Sequence, residues 1–171
     1  RFPRWFDPAG NEIELRLKDG PIREYEQITS ILKDGRRHKG VDFKAPTGTP
    51  IHAPFDGVVQ RKNWSLRGNG LALDIEESRT GRRAFLLHLS AIMKGLRPGS
   101  RVKKGQLIAH SGNTGRSTAP HLHYQLQQSQ HGKVIDPFDF HRTWRARLPD
   151  SDLPALRELL MKYSKLRESV T

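Results

Sequence analysis

The sequence predicts a mainly β protein, with an antiparallel sandwich or barrel-like core and one amphipathic α-helix at its C-terminal end. Three observations carry this. Between Ile28 and about Phe140, short apolar segments such as "GLALDIEES", "RAFLLHLS" and "QLIAHSG" are separated by Gly, Pro, Asn and Ser, the spacing of strands in an all-β domain. Within "HLHYQL", residues 121–126, alternate positions differ in character, and in a strand such positions face opposite ways. After Asp152 the period changes, and Leu153, Leu156, Leu160, Tyr163 and Leu166 recur at helical spacing.

The elements follow in order. Residues 1–27 form a charged lead-in that packs on the core, with a turn at "DPAG" and a strand at "IELRL". Residues 28–143 form the main domain. Its exit is marked by "VIDPFDF", where Asp136 caps a short helical turn and Pro137 takes the first position. Residues 144–171 form a helical extension whose second face is basic. Its apolar stripe is expected to dock on the β domain, with a partner or a membrane surface as the sharper alternative.

Composition narrows the chemistry. The 171 residues suffice for one domain with a real core. The chain starts at Arg1 rather than Met, as expected of a processed chain or an excised fragment. No apolar run approaches the roughly 18 residues that a membrane span needs. Cysteine is absent, so disulfides and thiolate metal sites are excluded, and His and carboxylate remain as ligands. The net charge of +12 favours polyanions: nucleic acid, acidic lipid or an anionic wall polymer. Aromatic residues interleaved with basic ones, as single-strand binders use, are sparse, so no nucleic acid partner is expected.

Three segments carry His or Asp where packing does not explain them. "RHKGVDF" spaces His38 and Asp42 four apart, "LLHLS" sets His88 in an apolar strand, and "HLHYQL" puts His121 and His123 on one strand face. A catalytic zinc site needs three nitrogen or oxygen ligands, an open position, and nearby groups that move protons. Four histidines and one aspartate supply both sets. His52, His110, His131 and His141 lie in turns and late polar segments and fall outside this set.

"HKGVDFKAPTGTPIHAPFDGVV" followed by "GSRVKKGQLIAHSGNTGRSTAPHLHYQL" resembles the LytM/lysostaphin-type zinc metallopeptidases, which cut peptide bonds in bacterial peptidoglycan. The resemblance runs from about Ile28 to Phe140, roughly two thirds of the chain. It implies one Zn2+ per chain, held by His38, Asp42 and His123, with His88 and His121 as catalytic residues beside it. His121 would pass a proton from water to the leaving amine, and His88 would bond the oxyanion or steady its neighbour. The implied substrate is the stem-peptide cross-link, with the D-alanyl–diaminopimelate bond favoured, and the implied location is the periplasm or cell envelope. Residues that grip the substrate are not readable.

The chain departs from the family pattern in places. The segment before His38 is short, which leaves one wall of the groove low. Gln125 stands where Glu is frequent, and Ala119 where Gly is. Some relatives have lost ligands and only activate other wall hydrolases, and others are masked by an upstream segment or a regulatory protein. A silent or masked peptidoglycan-binding module is therefore the alternative reading.

Overall fold

The computed structural model describes residues 4–35 and 38–168. Arg36 and Arg37, in the segment expected to form the low groove wall, lie outside the described residues. The chain divides into two units, residues 17–143 and residues 1–16 with 144–171.

The strands of the larger unit follow β1 (Arg16–Leu17), which spans the unit boundary. They are β2 (Gln27–Ser30), β3 (Val41–Lys44), β4 (Pro50–His52), β5 (Gly57–Lys62), β6 (Leu71–Glu77) and β7 (Arg83–Leu89). β8 (Ala91–Ile92), β9 (Arg101–Val102), β10 (Leu107–His110), β11 (His121–Gln127) and β12 (Val134–Ile135) continue the series. A large antiparallel sheet has the order β2-β3-β11-β7-β6-β5-β9, with β12 added to β11, and it is open rather than a closed barrel. A second sheet, β4-β10-β8, shares its hydrophobic cluster through Ile51, Ile108 and Ala109. The mainly antiparallel β architecture predicted from the sequence is the one observed.

Alternation explains why the large sheet folds and what it leaves exposed. Leu122, Tyr124 and Leu126 of β11, Val41 and Phe43 of β3, and Ala84 and Leu86 of β7 are fully buried on one face. Each large aliphatic among them contributes about 1.5–3 kcal/mol by leaving water. The remaining face of β11 carries His121, His123, Gln125 and Gln127, and that of β3 carries Asp42. β11 sits between β3 and β7, with His123 opposite both Asp42 and Leu87. The polar half of the pattern is thereby gathered into one patch.

Two helical pieces belong to this unit. α1 (Leu66–Asn69) is one short turn. α2 (Pro137–His141) starts as expected, with the Asp136 side chain accepting from the Phe138 amide at 2.9 Å. Beneath it, His141 is buried and Nε2 stands 2.8 Å from the Tyr124 hydroxyl.

In the smaller unit, the strand expected at "IELRL" is reduced to Arg16–Leu17. The reason is local. Glu12 is fully buried between the guanidiniums of Arg4 and Arg16, and its contact with Arg16, four residues on, needs a bent chain, because an extended strand would hold the two roughly 13 Å apart. Burial pushes the Glu12 carboxyl up, but the two arginines outweigh it and bring its pKa to about 2. The predicted helix is α3 (Leu153–Glu168). Its stripe is half-buried at Leu153 and Leu156 and exposed at Leu160, Tyr163 and Leu166. Helical spacing reports that a face is apolar, not that anything covers it.

Candidate metal centre

Three strands of the large sheet, together with the turn before β3, assemble the five candidate residues on one face. His38 and Asp42 flank the tight "KGV" entry into β3, and His123 lies directly across the ladder from Asp42. Gly40 is required there. A Cβ on it would stand 2.5 Å from the Tyr124 carbonyl oxygen and 2.9 Å from Nε2 of His123. The chain can pass beneath the His123 ring only without a side chain.

His38 Nε2, Asp42 Oδ1 and His123 Nδ1 converge. The His38–Asp42 separation is 3.2 Å, His38–His123 is 3.1 Å and His123–Asp42 is 2.8 Å. His38 Nδ1–H donates to the Ile31 carbonyl at 3.0 Å and lies 2.9 Å from Ser30 Oγ, so Nε2 keeps its lone pair. Two nitrogen donors and one carboxylate oxygen facing a common point fit a tetrahedral zinc with one position left open. Backbone bonding of the second nitrogen of His38 fixes its tautomer as metal-ligating histidines require. Burial pushes the Asp42 carboxyl up, but the hydrogen bond with His123 and the electrostatic attraction of the histidines around it outweigh it. Its pKa lies below the ordinary aspartate value.

His88 and His121 stand beside this cluster, ring centroids 4.8 Å apart. His121 Nδ1–H donates to the Ala119 carbonyl at 2.8 Å, and its Nε2 lies 3.9 Å from Asp42 Oδ1. His88 Nδ1–H donates to the Thr114 carbonyl at 2.9 Å. Both rings are thus held as the tautomer with Nε2 unprotonated. Burial pulls the His88 pKa below the usual imidazole value, with the Thr114 carbonyl opposing, so the ring is neutral near pH 7.

His88 reaches the site against the strand's own alternation. Leu86 is in the core and Leu87 on the open face, so a regular β7 would turn His88 back into the core. The pairing with β6 instead jumps from Leu86↔Leu73 to Leu89↔Leu71, three residues against two. His88 takes up the extra residue with φ of 62°. Such a bulge re-aims a side chain at a local strain cost of about 1–3 kcal/mol.

Sequence reasoning missed the support for His88 and the walls of the groove. Thr114 is the hub. Its Oγ1 donates to the Leu89 carbonyl at 2.7 Å and accepts from the Leu71 amide at 2.9 Å. Nothing in the sequence around Thr114 points to a distant histidine. Two cavities flank the centre. One of about 270 Å³ involves Thr29, Asp42, Lys44, Thr118 and His121. The other, about 620 Å³, is floored by Phe85, Leu87, Gln125 and Gln127 and walled by Trp64.

An open two-histidine, one-carboxylate centre with two further histidines beside it, set in a groove, defines a metal-dependent hydrolase type of site. Residues 36–137 match the model of "Peptidase family M23". The chain belongs to peptidase family M23, in agreement with the LytM/lysostaphin resemblance. It is 43% identical over 131 residues to the peptidoglycan DD-endopeptidase ShyC of Vibrio cholerae, covering 71% of this chain and 29% of that protein. It is 42% identical over 109 residues to the glycyl-glycine endopeptidase ALE-1 of Staphylococcus capitis, covering 63% of this chain and 30% of that one. Among solved structures, a zinc-containing peptidase from Vibrio cholerae superposes with a TM-score of 0.60 at 32% identity, covering 85% of this chain and 44% of that chain. The chain spans between 22% and 30% of the length of the curated relatives it is compared with.

Proposed function

We propose that this chain is a zinc-dependent endopeptidase that hydrolyses peptide cross-links in bacterial peptidoglycan, cutting the D-alanyl–diaminopimelate bond. The observation that carries the reading is the convergence of His38, Asp42 and His123, with His88 and His121 on the same face and a cavity near the centre on either side. Relatives named as peptidoglycan endopeptidases support the substrate class. The substrate would place the protein in the periplasm or cell envelope. Among the described residues no helix is long and apolar enough to cross a membrane.

His38, Asp42 and His123 would hold the metal. A zinc ion bound there supplies Lewis acidity and a water whose pKa is about 7. His121 Nε2, unprotonated and 3.9 Å from Asp42 Oδ1, accepts the proton of the attacking water and then gives it to the leaving amine. His88 is neutral, and its Nδ1–H is committed to Thr114. Its Nε2 is therefore an acceptor, which suits steadying the water or His121 better than donating to an oxyanion.

The test separates metal from turnover. Purified cross-linked peptidoglycan is digested with and without a chelator and the products are weighed by mass spectrometry, while bound zinc is measured for each variant. Loss of dimeric muropeptides with chelator sensitivity is expected, along with fragment masses of the D-alanyl–diaminopimelate cut. His121→Ala is expected to keep zinc and lose turnover, and His123→Ala and Asp42→Ala to lose zinc. Intact cross-links after treatment with zinc-loaded protein would overturn the endopeptidase reading. An empty centre in His121→Ala would overturn the division of roles.

A further inference from the structure

Among the described residues, the larger cavity is lined by basic side chains and by no acid. Its ionisable lining among them consists of Lys39, Arg61, His131 and Lys133, with no Asp or Glu. Arg61 is already engaged. Its guanidinium donates to Asp74 at 2.7 Å and lies over the Trp64 ring at 4.6 Å. Lys39 and Lys133 are exposed and, among the described residues, neither has an ion-pair partner. Across the centre the pattern differs, because Lys44 on the smaller cavity is paired with Glu26 at 2.8 Å.

Excess charge alone would scatter unpaired lysines over the surface. These two come from separate segments, one beside His38 and one on the loop before β12, and they line the same cavity. Between them the floor offers neutral amides, Gln125 and Gln127, on the same strand face as His123. Gln125 is two residues from His123, about 7 Å along the strand. An anion in this cavity would sit roughly one peptide residue from a bond placed at the centre.

We propose that this cavity is the specificity site for a free carboxylate of the substrate, which Lys39 and Lys133 hold from two sides while the side-chain amides of Gln125 and Gln127 donate to it. The proposal rests on the endopeptidase reading above and deepens it. A cross-link with a free carboxylate beside the scissile bond is the preferred substrate, and amidated cross-links or glycine bridges are poor ones. Two partly exposed ionic contacts amount to a preference of about tenfold.

The experiment uses two synthetic cross-linked peptide dimers that differ only by carboxylate or carboxamide at the diaminopimelate residue next to the scissile bond. kcat/KM is measured for each with the zinc-loaded protein and with the Lys39→Gln/Lys133→Gln double variant. The expected ratio of carboxylate to amide substrate is about tenfold in the wild type, falls in high salt, and collapses to within about twofold in the double variant. Equal rates on both substrates in the wild type, or a ratio retained by the double variant, would overturn the carboxylate site and leave the endopeptidase reading standing. Cleavage of neither dimer by the wild type would sink both.

Discussion

His88 and His121 stand with ring centroids 4.8 Å apart, and each donates its Nδ1–H to a backbone carbonyl, Thr114 for one and Ala119 for the other. Two acceptor nitrogens are thereby presented at one place by different devices. His121 follows the alternation of β11. His88 depends on a bulge and a left-handed backbone.

That backbone makes a direct prediction about position 88. Glycine adopts φ near 62° without the steric cost that alanine meets. His88→Gly is therefore expected to be more stable than His88→Ala by about 1 kcal/mol, the reverse of the usual order inside a strand. Both variants should lose turnover and keep zinc. Chemical denaturation of the pair reads the difference, and a less stable glycine variant would show that the bulge is not strained.

Much of this arrangement was legible because its signals are local. His38 and Asp42 lie four apart, His121 and His123 share one strand face, and period-two burial of Leu122, Tyr124 and Leu126 sets which face that is. The bulge was not legible, because strict alternation puts His88 beside Leu86 in the core. Nor was the groove, since Lys39, Trp64, Gln125 and Lys133 meet only after the sheet has formed. The α3 stripe was read correctly as helical, and its exposure from Leu160 onward is a property of what surrounds it, which spacing does not encode.

Thr114 connects the β7 bulge to the turn before β6. Thr114→Val keeps the size and removes the hydroxyl, leaving the Leu71 amide and the Leu89 carbonyl without this partner. The loss is expected to cost about 1–3 kcal/mol. Because the carbonyl that orients His88 rides on this residue, kcat should fall with KM and zinc content nearly unchanged. Thermal melts, metal analysis and steady-state kinetics on a soluble cross-linked peptide check this, and zinc loss would mean that the loop supports the ligands instead.

Gly40 tests the metal side alone. In Gly40→Ala the new methyl group would meet the Tyr124 carbonyl at 2.5 Å and His123 Nε2 at 2.9 Å, so the ring or the strand must move. A displaced ligand is expected to weaken zinc binding by about 10–100-fold and stability by about 1–3 kcal/mol. Competition against a chelator of known affinity measures the first. Unchanged zinc affinity would mean that His123 is not a ligand or that β3 yields without strain.

The last prediction concerns acid. Burial, with a smaller contribution from Lys104, pulls the pKa of His141 from 6.5 down to about 4, and the ring accepts from the Tyr124 hydroxyl at 2.8 Å. Burial also pushes the Tyr124 pKa well up, so that hydroxyl remains a donor. Between pH 6.5 and about 4 the unfolded chain takes up a proton at His141 that the folded chain refuses. Unfolding is therefore favoured progressively as pH falls. The stability that neutral His141 contributes is fully present above pH 6.5 and is lost as pH drops through about 4, with a ceiling of about 3 kcal/mol. His141→Gln retains an acceptor for Tyr124 and removes the titration. Its melting temperature should fall less steeply than the wild type's across that window, whereas the loss tied to Glu12, whose pKa is about 2, should appear at lower pH in both. Parallel curves for the two proteins would show that His141 is protonated in the native state at the same pH as in the unfolded chain.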